Sequence, residues 1–364
     1  MNFKKYSLRD ILIVLMSLGM LVSISVTAQD TVSTDLSKTE AVKPAVLPTH
    51  PSVYNFYLEN DLFNNTDRDY TSGFKVSWVS PNLADYTHDP HLPQWVRNIN
   101  QLLVRIQPGQ YESRNLVVTA GQAIYTPYDW TATAVIPNDR PYAGWLYLGL
   151  GYNGRTQWEM DTVEVNVGMV GPAALARQTQ HVVHAIRHID QFKGWQNQLH
   201  NELGVQLVAE RKRRVWSGGQ TLKWDAITHY GTSLGNVQTY LNTGIELRIG
   251  SRLPADFGTS AIRPASDSNA PTESGRQRRL SGEGVHMFVA VDARFVIRDI
   301  FLDGNTFRAS HQVTKNPFVA DLAVGIAWQW KGGKITYSKC LRTKEFETQN
   351  ASHSYGSIML SLEH

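Results

Sequence analysis

From Val53 onward the chain alternates apolar and polar residues with a period of two, in stretches that repeatedly reach ten or more positions. This is the pattern of extended strands with one apolar and one polar face. In Val237 to Ile249, Leu241, Ile245, Leu247 and Ile249 share one face and Gln238, Asn242, Glu246 and Arg248 the other. In Val285 to Arg298, Val285, Met287, Val289, Val291, Phe295 and Ile297 oppose His286, Asp292, Arg294 and Arg298. In Phe318 to Trp330, Leu322, Val324, Ile326, Trp328 and Trp330 oppose Asp321 and Gln329.

Alternation alone suits a soluble sheet as well as a membrane one, so length has to discriminate. Strands in soluble proteins average about five or six residues, whereas a tilted membrane strand needs about 9 to 11. Twelve runs are predicted here, near 53–60, 69–79, 115–125, 142–154, 158–169, 204–215, 220–233, 237–249, 285–297, 317–330, 333–346 and 352–363. An even number suits a bacterial transmembrane antiparallel β-barrel, and the all-β reading follows. Trp78, Tyr147, Tyr152, Trp328, Trp330 and Tyr337 lie near strand ends, as interfacial girdles require. Gly356, Ile358, Leu360 and Leu362 carry the last alternation to the chain end, where barrel closure needs a strand; His364 stands where an aromatic is expected.

Three insertions are long, at 80–114, 126–141 and 251–283, and the last is rich in Ser, Arg and Gly, the composition of a mobile loop. One segment leaves the β pattern. Between Ala174 and Gln191, Leu175, Val182, Val183, Ile186 and Ile189 recur at helical spacing; Gly194 breaks it, and Trp195 to Leu203 predicts a second short helix. The short helical insertion is expected near the extracellular rim, capping or lining the barrel mouth.

The N-terminus reads as an address. Lys4, Lys5 and Arg9 precede the apolar run Ile11 to Val26, and Val26-Thr27-Ala28 places small residues at a cleavage site. Residues 1–28 are expected to be a removed signal peptide, 29–50 a flexible leader, and 51–364 a single outer-membrane barrel; the alternative is an N-terminal membrane anchor. Thirty-five basic against 32 acidic residues is too balanced for nucleic-acid binding read on charge alone. The single cysteine, Cys340, excludes an internal disulfide framework.

Polar density is highest in two places. Glu59-Asn60-Asp61 ends the first strand, and Asp67, Arg68, Asp69, Tyr70, Thr71, Ser72 and Gly73 open the second. These are hard oxygen donors of the kind Ca²⁺ prefers, and equally the turn formers of a hairpin. If Phe74, Val76 and Trp78 face outward, Thr71, Lys75 and Ser77 face the lumen. The second place holds His181, His184, His188 and Asp190. His184 and His188 have metal-pair spacing, yet no glutamate follows the first, as H-E-x-x-H would require. Gly231-Thr232-Ser233-Leu234-Gly235 matches a nucleophile elbow in sequence but lies between two β runs rather than in strand-turn-helix context. The basic clusters Arg211-Lys212-Arg213-Arg214 and Arg276, Arg278, Arg279 suit anionic lipid phosphates at a barrel rim.

The chain resembles the outer-membrane lipid A 3-O-deacylases from Phe56 to the last strand. The resemblance rests on Glu59-Asn60-Asp61, Asp67-Arg68, Tyr70-Thr71-x-Gly73, Tyr125-Thr126-Pro127, Asp139-Arg140-Pro141-Tyr142-Ala143-Gly144, Gly171-Pro172, and His184 ahead of Trp195-Gln196-Asn197-Gln198. It implies a calcium-dependent hydrolase, working as a monomer in the bacterial cell outer membrane, that removes a 3-O-linked acyl group from the lipid A of lipopolysaccharide. By the same resemblance His184 is the general base, Asn60, Asp61 and Thr71 complete the catalytic set, and Asp61 and Asp190 are the metal ligands. Asp190 stands where the family has a glutamate. Asp139 and Arg140 match a lumenal pair that holds the wall or a substrate phosphate. The competing readings are a non-catalytic structural barrel or porin, and a serine phospholipase on a similar architecture.

Overall fold

The computed structural model describes residues 52–61, 69–83, 85–89, 92, 94–103, 111–259, 265, 267 and 283–364. The segments expected to be signal and leader, Asp67, Arg68 and the cluster Arg276, Arg278 and Arg279 lie outside the described residues. Twelve antiparallel strands close into one barrel: β1 (Val53–Asn60), β2 (Asp69–Val79), β3 (Ser113–Thr126), β4 (Ala143–Arg155), β5 (Glu159–Val170), β6 (Glu202–Gly218), β7 (Lys223–Gly235), β8 (Gln238–Gly250), β9 (Gly284–Asp299), β10 (Phe318–Trp330), β11 (Gly333–Arg342) and β12 (His353–Glu363). Closure is made by β1 on β12, from Val53 opposite Glu363 to Asn60 opposite Gly356. Every strand thereby gains two neighbours, which satisfies the backbone without an exposed edge. Among the described residues no helix is long and apolar enough to cross a membrane.

The predicted faces are the observed ones on the last strands. Leu241, Leu247 and Ile249 on β8, Val285 to Ile297 on β9, and Leu322 to Trp328 on β10 point outward and are exposed, while Asn242, Glu246 and Arg248 are buried inward. Trp158, Trp216, Trp224 and Trp328 are exposed outward near the end that carries the chain termini, and form the girdle there. Two expected girdle members do otherwise. Tyr147 lines the lumen beside Trp145, and Tyr152 is covered from outside by α1 (Gln94–Leu103) and Tyr86, its hydroxyl 2.5 Å from Asn100 Oδ1. The alternation of β4 continues through both, but the 80–112 connection folds back over the wall at Tyr152.

The lumen is filled by paired charges, which is not the lining a hydrated channel needs. Toward the outer end, away from the termini, Arg140 meets Glu345 at 3.1 Å, Arg342 meets Asp321 at 2.7 Å and Arg294 meets Asp321 at 2.6 Å. Toward the terminal end, two described residues of the 251–283 insertion, Asp256 and Asp267, reach into the lumen. Asp256 takes Arg248 and Lys334 at 2.5 Å each, and Asp267 takes Lys75 at 2.9 Å together with the hydroxyls of Tyr57 and Ser77. Asp256 and Asp267 thus supply partners to Lys334 and Lys75, and Asp256 adds a second carboxylate to Arg248, which also pairs with Asp225 of the wall at 2.6 Å.

Glu345 lies in the outer connection between β11 and β12. Burial opposes its ionisation, but Arg140 and Arg342 prevail and hold its carboxyl down at about 2. Its folded-state value is depressed, so its stabilisation is complete above the ordinary glutamate range and disappears as pH falls toward about 2. In urea unfolding of the refolded barrel, we expect wild type to lose more stability over this acid range than Glu345→Gln; parallel pH curves would refute the pairing. Arg140→Met, which takes the nearer of two arginine partners from a buried carboxylate, is expected to cost about 3 kcal/mol.

Candidate active site

The segment between β5 and β6 forms a helix on the outside of the wall. Gly171 and a single 3-10 turn at Pro172–Ala174 lead into α2 (Ala176–Arg187), with Leu175 between them in the left-handed region at φ 58°. Ala176, Gln180 and His184, one helical turn apart, are its buried face. That face meets the outward side of β3 and β4: Ile124 packs with Ala176, Phe192 and Trp195, and Gln122 Nε2 donates to the Ala174 carbonyl at 2.6 Å. The contact needs Gly144, because a Cβ there would lie 2.5 Å from Ala176 Cβ. The insertion thus docks on the wall beside the mouth; it neither caps nor lines the opening. The expected second helix is one 3-10 turn, Trp195–Asn197, which anchors α2 through Trp195 Nε1 donating to Gln180 Oε1 at 2.7 Å.

The end of α2 sets the histidine. His188 is left-handed at φ 54°; its N–H reaches the Ala185 carbonyl, and the Ile189 N–H reaches the His184 carbonyl. These paired bonds are a Schellman stop, and they turn the chain back along the helix. The Asp190 carbonyl thereby returns to His184 Nδ1 at 2.7 Å. A carbonyl only accepts, so Nδ1 carries the proton and the neutral ring has its basic lone pair on Nε2. Phe192 packs edge-on at 5.7 Å between ring centroids, and His184 is almost wholly buried. His188 is exposed and past the helix end, so His184 and His188 do not form the metal pair their spacing suggested.

A bulge brings the second strand into the same wall. The β2–β3 register shifts between Tyr70 and Ser72, leaving Thr71 without an opposite residue. Tyr70 turns into the lumen against Tyr125 and Tyr355, while Thr71 turns outward to share a 2.6 Å hydrogen bond with Thr126. Strict alternation had placed Thr71 in the lumen with Lys75 and Ser77; those two are there, and the bulge re-aims Thr71. Asn60 pairs with Ser72 and has the outward parity of Phe56 and Leu58. Asp61 follows it with a fully buried side chain.

The other candidates are elsewhere or differently used. Asp190 contributes its main chain to His184 while its side chain is exposed. Asp139 accepts from the N–H groups of Tyr128 and Arg140, both at 2.7 Å, and so braces its own loop. Arg140 is inside the barrel, over the Tyr125 ring and paired with Glu345. Ser233 of the elbow-like motif lies within β7, two residues before its end, accepts from Gln206 and donates to the Gln238 carbonyl. Arg211 and Arg213 pair with Asp161 and Glu159 on the wall. Sequence reasoning assigns no role of their own to Gln180 and Thr126; the spacing of Gln180 from Ala176 and His184 is the signal that marks it.

Oxygen donors dominate this wall: the Asp61 carboxylate, the Asn60 amide and the Thr71 and Thr126 hydroxyls, a hard set that suits calcium better than a thiolate-seeking metal. Among the described residues no group of three or more His, Cys, Asp or Glu side chains stands at metal-binding spacing.

The family model described as outer membrane protein LpxR matches residues 13–364. The chain belongs to the LpxR family. Its fold matches LpxR from Salmonella typhimurium at TM-score 0.67 and 18% identity, covering 85% of this chain and 99% of that one. The Bordetella autotransporter BrkA beta domain aligns at TM-score 0.40 and 9% identity, over 86% and 98% of the two chains. The NalP translocator domain from Neisseria meningitidis aligns at 0.34 and 8%, over 86% and 87%. No curated protein matches the sequence. Membership and the closed barrel place this LpxR-family chain in the outer membrane.

Gly144→Val tests the docking of α2. We expect the barrel to remain folded by its heat-dependent gel mobility, while the 171–201 segment becomes cleavable by protease; unchanged protease resistance would refute the close contact.

Proposed function

We infer that this LpxR-family protein, an outer-membrane lipid A-modifying protein, is a calcium-dependent ester hydrolase that removes a 3-O-linked acyloxyacyl group from lipid A. The observation that carries this reading is the fixed tautomer of His184, on the lipid-facing wall at the outer end. A lipid in the outer leaflet can bring its ester to that wall sideways, without entering the filled lumen.

The chemistry follows from the site. His184 Nε2 accepts a proton from water as the water oxygen attacks the ester carbonyl, and the Asp190 carbonyl holds Nδ1–H in place as the ring gains charge. The bond from the carbonyl carbon to the sugar oxygen then breaks, and Nε2 returns the proton to that oxygen. The products are a free acid and the sugar hydroxyl. Asn60, Asp61 and Thr71 are the residues that would hold Ca²⁺, with Asp190 as a further ligand in the reading from resemblance. When bound, the cation polarises the ester carbonyl and stabilises negative charge on its oxygen. No serine nucleophile is needed, and Ser233 has both its hydrogen-bonding roles occupied within the wall. Residues 1–28 are read as the export signal, and the barrel as a working monomer.

Mass spectrometry of lipid A from cells carrying the protein tests the reading. We expect wild type to remove one acyloxyacyl mass, and His184→Gln and chelator each to lower the rate by 10² to 10⁴-fold, the range for loss of a general base. Unaltered lipid A with a correctly inserted wild-type protein would sink the hydrolase.

A further inference from the structure

Helix α2 has three faces where a surface helix normally has two. Ala176, Gln180 and His184 take the barrel wall. A second edge, Leu175, Val182 and Ile186, is apolar and exposed by 49%, 55% and 48%. The third edge, Arg177, His181 and His188, is polar and exposed, and Lys193 is exposed beyond it. At 100° per residue, Val182 and Ile186 fall about 40° apart on one side of the helix and Arg177 and His181 about 40° apart on another, while Leu175 precedes the first turn and His188 follows the last. A helix with one wet edge and one apolar edge beside a membrane wall is an interfacial helix.

The wall beneath supplies the second observation. On the outward faces of β3 and β4, the surface under the docking contacts Gln122, Ile124 and Gly144 continues into Val118, Leu146 and Leu148, the last exposed by 68%. Four strand residues separate Gly144 from Leu148, about 13 Å. The wall on which α2 docks is therefore itself apolar and exposed below the contact. Between residues 176 and 193 the only acidic side chain is Asp190, against Arg177, Arg187 and Lys193. The polar edge thus offers positive charge and ring N–H donors at headgroup level.

We propose that α2 is an interfacial clamp: Leu175, Val182 and Ile186 enter the acyl layer of the outer leaflet, and Arg177, His181 and His188 take a phosphate group of the lipid A whose ester lies at His184. This rests on the hydrolase reading for its substrate and adds the element that sets depth and headgroup preference. Arginine and imidazole N–H groups suit phosphate oxygens, and one helix carrying both edges fixes the height of His184 relative to the headgroup. From Arg177 to His181 the polar edge rises four residues, roughly 6 Å along the axis, a span that one phosphate group can bridge.

The test uses the full-length barrel and the triple variant Arg177→Gln, His181→Gln, His188→Asn; asparagine keeps the left-handed backbone at 188 tolerable. Hydrolysis is measured on phosphorylated and on enzymatically dephosphorylated lipid A in mixed micelles. The variant's KM is expected to rise about tenfold more on the phosphorylated lipid; equal changes on both would overturn phosphate recognition. Binding of phosphorylated lipid A to the detergent-purified barrel is measured in parallel. A tenfold weakening supports the clamp and unchanged affinity overturns it, even if wild type hydrolyses nothing, an outcome that would remove only the hydrolase reading. For the apolar edge, Val182→Gln with Ile186→Gln is expected to lower turnover at least fivefold more in intact bilayer vesicles than in micelles. Equal loss in both overturns insertion.

Discussion

Everything in this protein depends on closing twelve strands without an edge. The β1–β12 pairing commits each strand to two neighbours and to strict alternation, so one set of side chains faces lipid and the other faces a narrow interior. Burying charged side chains inside that wall is tolerable only if they are paired, because an isolated buried charge is costly. The interior accordingly contains chained pairs: Arg140–Glu345, Arg342–Asp321–Arg294 and Lys334–Asp256–Arg248. A filled interior leaves the outer surface as the place for chemistry on a lipid.

A smooth wall cannot hold a catalytic pocket, so the wall has to be broken in controlled ways. The bulge at Thr71 gives the outer face a hydroxyl that alternation would have buried inward. Gly144 removes a side chain so that a helix can lie against the strands. The left-handed residue His188 ends that helix in a turn that returns a carbonyl to His184. Left-handed backbone at a non-glycine residue costs roughly 1 kcal/mol or more, and here it is spent beside the candidate base.

How much of this was legible in the sequence follows from range. Strand positions were readable because alternation is a two-residue signal; β1, β8, β10 and β12 begin and end within a residue or so of their apolar runs. β11 stops at Arg342, short of the expected 346, because Arg342 and Glu345 turn inward to the lumenal pairs. The His184, Asn60, Asp61 and Thr71 set was readable only through resemblance, since spacing alone left hairpin turns as good an account. The Thr71 bulge was invisible because it inverts the parity from which its direction was inferred. The pairing of Asp256 and Asp267 with distant wall residues was equally hidden, since composition signals solvation but carries no information about a partner 78 or 192 residues away.

The orientation of the His184 ring is a main-chain matter. Had the carboxylate at 190 oriented the ring, shortening the family's glutamate to aspartate would pull the acceptor back by one methylene. The acceptor is instead the carbonyl of residue 190, placed by the His188 turn and independent of side-chain length. The substitution therefore leaves the orientation of Nδ1 intact and exposes a shorter carboxylate at the surface. Under the proposed calcium-dependent reading, orientation of the base and supply of metal ligands are thus separable. The first would depend on backbone geometry, and the second is where an aspartate in place of the glutamate that the resemblance implies would be felt.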